Sequence, residues 1–327
     1  MNDLQKRRIA VLMGGPSEER EVSLKSGGAM LAALQRKGYD AIGIDVDRQL
    51  PKQLIDEKID AVLLALHGPL GEDGSVQGLL ETMGIPYTGS NVCASALCMD
   101  KLLTKRIFRD GGIHTPDWCE LSIANESEIP QSVASLPNWE PPLYVKPSRS
   151  GSSVGVVRVE DRSELEHAVR EGWNAVTQSP SHGRGQPVHF LVEQAVTGTE
   201  TALAILDGEP LPTIEIQPLS GFYDYRNKYT AGRTRYLMPP ESLSSDAENA
   251  LRRVGVDAYH LLGCRGLARV DIIIDSKETP WVLEVNTIPG MTETSLAPKA
   301  AAQHGLKFED LVERILAGAS LTSWDQR

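Results

Sequence analysis

The feature that most constrains this chain is a pair of β-branched, apolar runs in its last quarter. They are Arg269-Val270-Asp271-Ile272-Ile273-Ile274 and Trp281-Val282-Leu283-Glu284-Val285-Asn286. Asp275 to Pro280 between them is turn chemistry, so the pair reads as an antiparallel hairpin. With Ser276 to Thr279 as the loop, Asp271 falls opposite Glu284 and Arg269 opposite Asn286. Strand side chains alternate, so these four share one face, and Ile272, Ile274, Leu283 and Val285 fill the other. Two carboxylates opposed across a ladder destabilise it. A cation between them removes that cost. Asp, Glu and Asn form an oxygen-only set, which suits a hard ion such as Mg²⁺ held by one or two carboxylates and substrate phosphates. A surface hairpin with solvated charges accounts for Asp271 alone, but less well for four polar residues keeping one face.

At 327 residues the chain is too long for one ordinary core and fits two or three domains. Its net charge of −11 disfavours nucleic acid as a main partner, although a nucleotide needs only a few local cations. No apolar run is long enough to span a bilayer. The charged first ten residues lead into a strand without a secretory pattern, so a cytoplasmic, non-membrane protein is expected. Cys93, Cys98, Cys119 and Cys264 lack paired spacing and read as reduced, mostly buried thiols rather than a zinc site. Ile129 to Pro142 is Pro-rich and reads as a linker or loop.

From Arg8 onward the chain alternates strand and helix patterns: Arg8 to Met13, a helix to Lys37, Tyr39 to Asp45, a short helix from Leu50 to Glu57, and Ala61 to Leu66. That order gives an α/β fold with a parallel sheet, whose ligands bind beyond the carboxyl ends of the strands. Two loops lie there, Gly14 to Ser23 and His67 to Gly74. The first lacks dinucleotide spacing, and Glu18, Glu19 and Glu21 would repel a pyrophosphate. A carboxylate in that loop suits an ammonium group, or Glu19 is an N-terminal acid stabilising its helix dipole. The pattern leaves both open. The second loop reads as a turn or as a site, with His67 at a strand end favouring a site. Ala94 to Asp110 is helical with a break near Asp100-Lys101.

Leu143 to Lys146 is a strand, followed by the Gly/Ser loop Pro147 to Gly155 and a strand from Val156 to Val159. Such loops cradle phosphates with backbone N–H groups. A flexible hairpin tip is the alternative, and Lys146 beside the loop favours a phosphate lid. Ser163 caps an amphipathic helix reaching Trp173. Glu193 and Glu200, near strand ends, could hold a base or ribose hydroxyls; taken alone, each reads first as a solvated charge. Gly221 to Pro240 has no clear strand or helix and carries Tyr223, Tyr225 and Tyr229, which makes it a candidate lid. Ser244 to Leu262 is a helix.

Taken together, the motifs resemble the D-alanine–D-alanine ligases of the ATP-grasp superfamily. The resemblance runs over nearly the whole chain. It is carried in order by Gly14-Gly15-Pro16-Ser17-Glu18-Glu19-Arg20-Glu21-Val22-Ser23, His67-Gly68-Pro69-Leu70-Gly71-Glu72-Asp73-Gly74, Met99-Asp100-Lys101, Val145-Lys146-Pro147-Ser148 with Gly151-Ser152-Ser153-Val154-Gly155, Tyr223-Asp224-Tyr225 with Lys228-Tyr229, Arg269-Val270-Asp271, and Glu284-Val285-Asn286-Thr287-Ile288-Pro289-Gly290-Met291-Thr292. The resemblance implies three α/β domains: residues 1–103 with the first D-alanine site, 104–190 with the phosphate lid, and 191–327 with the metal site and the 221–240 lid loop. ATP would lie between the second and third.

The same resemblance implies that ATP phosphorylates one D-alanine and that the amine of a second attacks the acylphosphate. It places Lys101, Lys146 and Lys228 on ATP phosphates under Ser152 and Ser153, with Asn286 beside them. Glu193, Gln194, Ala195, Val196 and Glu200 hold base and ribose. Asp271, Glu284 and Asn286 bind two Mg²⁺, with Mn²⁺ an alternative and K⁺ admitted as a further ion. Glu19, Val22, Ser23 and His67 surround the first D-alanine, and Ser295 and Leu296 hold the second. Glu19, Ser152 and Tyr229 form a link between lids, and Arg269 and the Gly290 N–H stabilise the oxyanion. A homodimer is implied as well. Asn227 before Lys228, where alanine is common, and Gln194, where lysine is common, depart from the pattern, and a change in ATP affinity is expected. Competing readings are a ligase for another amine or acid, a nucleotide-binding oxidoreductase, and a non-catalytic protein that kept the fold.

Overall fold

A computed structural model describes residues 3–151, 154–179, 182–183, 185–219 and 234–322. Its first sheet is parallel, in the order β2-β1-β3, from β1 (Arg8–Met13), β2 (Asp40–Asp45) and β3 (Ala61–Leu64). Helices α1 (Arg20–Arg36) and α2 (Leu50–Asp56) form the crossovers, as the alternating pattern requires. Further on come α3 (Ser75–Met83), α4 (Val92–Met99) and α5 (Lys101–Asp110). The expected break is Asp100, extended at φ −94° and ψ 98°, whose carboxylate accepts from the Leu102 and Leu103 N–H groups and caps α5.

A four-stranded antiparallel sheet follows, in the order β4-β7-β5-β6: β4 (Trp118–Ile123), β5 (Leu143–Pro147), β6 (Val157–Val159) and β7 (Val188–Gln194). Two helices, α6 (Ile129–Ala134) and α7 (Leu165–Thr177), cover one face. The Pro-rich stretch is therefore not all loop: Pro130 sits in the first turn of α6, where its missing N–H costs nothing. The expected Ser163 cap is corrected to Asp161. Its side chain accepts from the Ser163 N–H, and Glu164 completes a capping box ahead of a short 3₁₀ turn. The expected domain boundaries at 103/104 and 190/191 fall inside α5 and β7, so neither is a break in the chain's regular structure.

The third sheet has six strands: β8 (Gly198–Leu206), β9 (Glu209–Pro210), β10 (Ile214–Pro218), β11 (Thr234–Leu237), β12 (Leu267–Asp275) and β13 (Pro280–Asn286). Its order is β11-β10-β8-β12-β13, with β9 pairing β8. The stretch expected to lack strands thus contains β11, held in register along β10 from Pro218 opposite Thr234 to Glu215 opposite Leu237. Strand β8 alternates. Leu203 and Ile205 face α8 (Ser245–Leu261), while Ala202, Ala204 and Leu206 join Ile9, Val11 and Met13 of β1 in a shared core. Helices α9 (Leu296–Gln303) and α10 (Phe308–Ala317) complete that core with Ala297, Ala300, Leu311 and Ile315. At about 1.5–3 kcal/mol for each large aliphatic buried, this shared core fixes the first sheet against the β12–β13 hairpin.

The hairpin register is the expected one at the polar end: Arg269 pairs with Asn286 and Asp271 with Glu284. Beyond that point it shifts by one, so that Ile272 pairs with Val282 and Ile274 with Pro280. Leu283 is the extra residue of a bulge. Val282, not Leu283, therefore shares the core with Val285, and both are nearly fully buried.

Candidate active site

A cavity of about 640 Å³ opens between the carboxyl ends of β1 and β3 and the polar end of the hairpin. Its walls include Glu19, Val22, His67, Glu72, Lys101, Arg269, Glu284, Asn286, Gly290, Ser295 and Leu296. The parallel sheet points its loops there, and the bulge turns the polar face of β12 and β13 toward the same space.

Glu19 sits at the N-cap position of α1, yet its side chain makes no capping hydrogen bond. It is buried between two glycines. A Cβ on Gly68, which has φ +71°, would stand 2.8 Å from Glu19 Oε2, and a Cβ on Gly151 would stand 2.3 Å away. The Gly68 loop and the Gly/Ser loop thus close directly onto this carboxylate. His67 is also buried. Burial, then the charge of Arg269, pulls its imidazole down to about 4, so it is neutral at ordinary pH. Its Nε2 lies 3.4 Å from Ser26 Oγ, which accepts from the Met291 N–H at 3.1 Å and so ties α1 to the loop before α9. Glu72 accepts from the Gly68 N–H at 2.6 Å. Burial, then repulsion from Glu19, pushes its carboxyl up to about 8. Two neighbouring carboxyl groups in a closed space share one charge more easily than two.

At the hairpin, the opposed carboxylates each have a cation. Arg269 donates from Nε and Nη2 to the two oxygens of Asp271, at 2.6 and 2.8 Å. Lys101 Nζ stands 3.4 Å from Glu284 Oε2 and donates to the Ser150 carbonyl at 2.8 Å. Asn286 Oδ1 accepts from the Ile288 N–H. The described residues contain no group of three or more His, Cys, Asp or Glu side chains arranged to hold a metal ion. Two carboxylates and an amide oxygen on one face still fit a hard cation that arrives with phosphate oxygens, rather than one held in a complete protein cage. Asp100 joins these parts together: Ser148 Oγ donates to Oδ1 at 2.5 Å and Arg149 Nε to Oδ2 at 2.8 Å, so the start of the Gly/Ser loop is tied to the cap of α5.

A second cluster lies at the β7–β8 junction. Glu193 is almost fully buried and meets two lysines, Lys105 Nζ at 2.8 Å and Lys146 Nζ at 2.5 Å. Burial alone would raise its carboxyl, but the two cations outweigh burial and hold it low. The N–H groups of Gln194 and Ala195 donate to Asp117 and Pro142 carbonyls, and Val196 follows half-buried. Glu200 stands on β8 between Ile216 and Ile273 of the flanking strands.

Against the sequence reading, the cavity gathers Glu19, Val22, His67, Lys101, Arg269, Glu284, Asn286, Gly290, Ser295 and Leu296. Asp271 lies just behind Arg269 and Glu284, bonded to the first and paired with the second. Ser23 is a correction: it is fully buried, accepting from the Gly14 N–H and donating to the Ala65 carbonyl, so it shapes the loop and does not line the cavity. Glu193, expected at the base or ribose, meets Lys105 and Lys146 with its two oxygens. Ser152, Ser153, Lys228 and Tyr229, with Asn227, lie outside the described residues. Sequence reasoning gave Glu72 and Asp100 no role, and it missed Lys105 altogether. Asp100 carried a local signal, since it breaks a helix where a cap belongs. Lys105 carried none, because its partner is remote in sequence.

Residues 107–317 match the family described as D-ala D-ala ligase C-terminus, and residues 49–90 match D-ala D-ala ligase N-terminus. A D-alanine–D-alanine ligase of Magnetococcus marinus is 52% identical over 98% of this chain and 99% of its own length. One from Syntrophotalea carbinolica is 46% identical over 98% of each. Among solved structures, the Bacillus anthracis D-alanine–D-alanine ligase complexed with ATP is 34% identical, with a TM-score of 0.77 over 95% of this chain and 97% of that one. VanG D-Ala:D-Ser ligase of Enterococcus faecalis gives 0.78 at 29% identity, over 95% and 99%. The chain belongs to the D-alanine–D-alanine ligase family and has its ATP-grasp fold.

Proposed function

We propose that this protein joins two D-alanines into D-alanyl-D-alanine, for peptidoglycan precursor synthesis, with ATP converted to ADP and phosphate. The observation that carries the reading is the convergence of Glu19, Arg269, Glu284 and Ser295 on one cavity in a member of this family. ATP transfers its γ-phosphoryl group to the carboxylate of the first D-alanine. The amine of the second attacks that acyl carbon, the C–N bond forms, and phosphate leaves.

Each residue has a task in that sequence. Glu19, buried between Gly68 and Gly151, takes the first ammonium group. His67, held neutral, orients it without adding charge. Arg269 and the Gly290 N–H face the oxyanion, the kind of fixed donor pair that stabilises a developing negative charge. Ser295 and the Leu296 N–H at the start of α9 take the second carboxylate. Lys101 and Lys146 reach ATP phosphates, and the family pattern assigns Ser152, Ser153, Lys228 and Tyr229, which lie outside the described residues, to the same step. Gln194, Ala195, Val196 and Glu200 border the base and ribose. Asp271, Glu284 and Asn286 hold Mg²⁺, which supplies neutralisation of phosphate charge; Mn²⁺ substitutes, and K⁺ is a further ion to test. The reading divides the chain into three units, following its three sheets. It implies a homodimer in the cytoplasm, where ATP is available. No helix among the described residues is long and apolar enough to cross a membrane.

Phosphate release from ATP and Mg²⁺ tests this, with D-alanine, L-alanine, or D-alanine plus D-lactate or D-serine. Release with D-alanine alone, together with the dipeptide by mass, is the expected result. Release that requires D-lactate or D-serine would keep the family and overturn the second substrate.

A further inference from the structure

We infer that Lys105, which touches no substrate, is a positioning residue that frees Lys146 for phosphate by holding the charge of Glu193. The inference rests on the proposal that Lys146 contacts ATP phosphates. The observation behind it is a count of charges in a closed space. One buried carboxylate, Glu193, has two lysines, and a carboxylate needs only one for neutrality.

The two lysines are not equivalent. Lys105 is 1% exposed, and three oxygens surround its Nζ: Thr115 Oγ1 at 2.6 Å, the Pro116 carbonyl at 2.8 Å and Glu193 Oε1 at 2.8 Å. Lys105 donates to Thr115 Oγ1 and the Pro116 carbonyl and ion-pairs with Glu193, a hold that leaves its head little room to move. Its stem is fixed on α5 and its head lies 5.3 Å from the centre of the Trp118 ring. Lys146 is different. It reaches Glu193 Oε2 from β5, its side chain is 16% exposed, and it feels the charge of Glu284 at the hairpin. It can leave Glu193 for a phosphate oxygen, provided Glu193 is not left buried and unpaired. Breaking a buried pair by removing one partner is strongly destabilising, because it leaves an uncompensated buried charge. Lys105 is the group that prevents this cost when Lys146 turns away. It also explains why a lysine whose pKa is pulled down by burial stands one turn after Lys101 on α5.

The test compares ADP, which has phosphates, with adenosine, which has none. The readout is the ratio of their affinities by titration calorimetry in Mg²⁺, so turnover is not needed. In K105M, Lys146 becomes the sole partner of Glu193, and the ratio should fall by about tenfold or more, as for loss of one charge-assisted hydrogen bond. In K105M/E193Q the carboxylate is gone, Lys146 is released, and the ratio should return to within about threefold of wild type. K105R, which keeps the charge, should rescue. A purely structural role for Lys105 would weaken both ligands alike and make the double variant worse, and either result overturns the inference. If K105M does not fold, E193Q alone decides: its ratio should rise, and a fall refutes the proposal. K146M serves as the separate check. If its ratio equals wild type, the phosphate role of Lys146 fails and this inference falls with it. If K146M lowers the ratio while K105M leaves it unchanged, only the inference fails.

Discussion

The cavity and the β7–β8 junction handle buried charge in opposite ways. At the junction one carboxylate is matched by two lysines, and Glu193 is held ionised against the effect of burial. In the cavity carboxylates and basic side chains are equal in number, with Glu19, Glu21, Glu72 and Glu284 against Lys25, Lys101, Arg269 and Lys299, but two of the carboxylates are pressed together. Glu19 and Glu72 crowd each other, Glu72 is pushed up to about 8, and Arg269 and Lys101 are shared out to Asp271 and Glu284. The difference suits two kinds of ligand. A surplus of positive charge is prepared for an anion. Carboxylates crowded against one another favour a cation between them, which in the proposed reading is an ammonium group or a metal ion.

The largest effect that sharpens this comparison is expected at Glu284. Glu284→Ala removes one of the two carboxylates of the hairpin face, and steady-state phosphate release should fall below detection. Near-normal dipeptide synthesis would remove the metal assignment. Next comes Arg269→Met, which takes away a fixed donor in the cavity and the partner of Asp271. A loss of about 10²–10³-fold in kcat is expected, and a change confined to KM would assign Arg269 to ground-state binding instead. A smaller effect is expected from Gly151→Ala. The added Cβ meets the Glu19 carboxylate at 2.3 Å, and overpacking costs about 1–3 kcal/mol. KM for the first D-alanine should rise while ATP affinity holds; an unchanged KM would mean that Glu19 does not hold the ammonium group.

The smallest effects concern pH and stability, and they have opposite signs for two neighbours. His67 is lowered from 6.5 to about 4 in the fold. Its contribution is present above 6.5 and is lost as pH falls toward 4. Glu72 is raised from 4.5 to about 8. Its contribution is present below 4.5 and is lost as pH rises toward 8. Urea midpoints measured from pH 4 to 8 should therefore lose part of their acid-side slope in His67→Gln and part of their alkaline-side slope in Glu72→Gln. Identical slopes in wild type and both variants would show that neither group is shifted by burial.

How much of this was legible depends on the range of the interaction. Short-range signals carried the parallel sheet, the break at Asp100 and the polar face of the hairpin. The bulge at Leu283 was not legible. The loop is placed one residue off the expected position, the bulge restores the register, and the two displacements cancel at Asp271 and Glu284. Strand β4, with Glu120 and Ser122 interrupting its apolar residues, and strand β11 were missed because pairing with β7 and β10 decides them, not local pattern.

By itself the sequence determined the family, the α/β class and seven polar residues of the cavity wall, Glu19, His67, Lys101, Arg269, Glu284, Asn286 and Ser295, because motifs, turns and strand alternation are local chemistry read over a few residues. Only the tertiary structure decided which charge meets which. Ser23 turns inward to the Gly14 loop, Glu193 is claimed by Lys105 and Lys146, and Glu72 is pressed against Glu19. The physical reason is that a charge's behaviour follows from its burial and its neighbours within a few ångströms. Those neighbours come from strands and helices far apart in the chain, brought together by a shared apolar core that favours burial of area without specifying which polar groups meet at its edge.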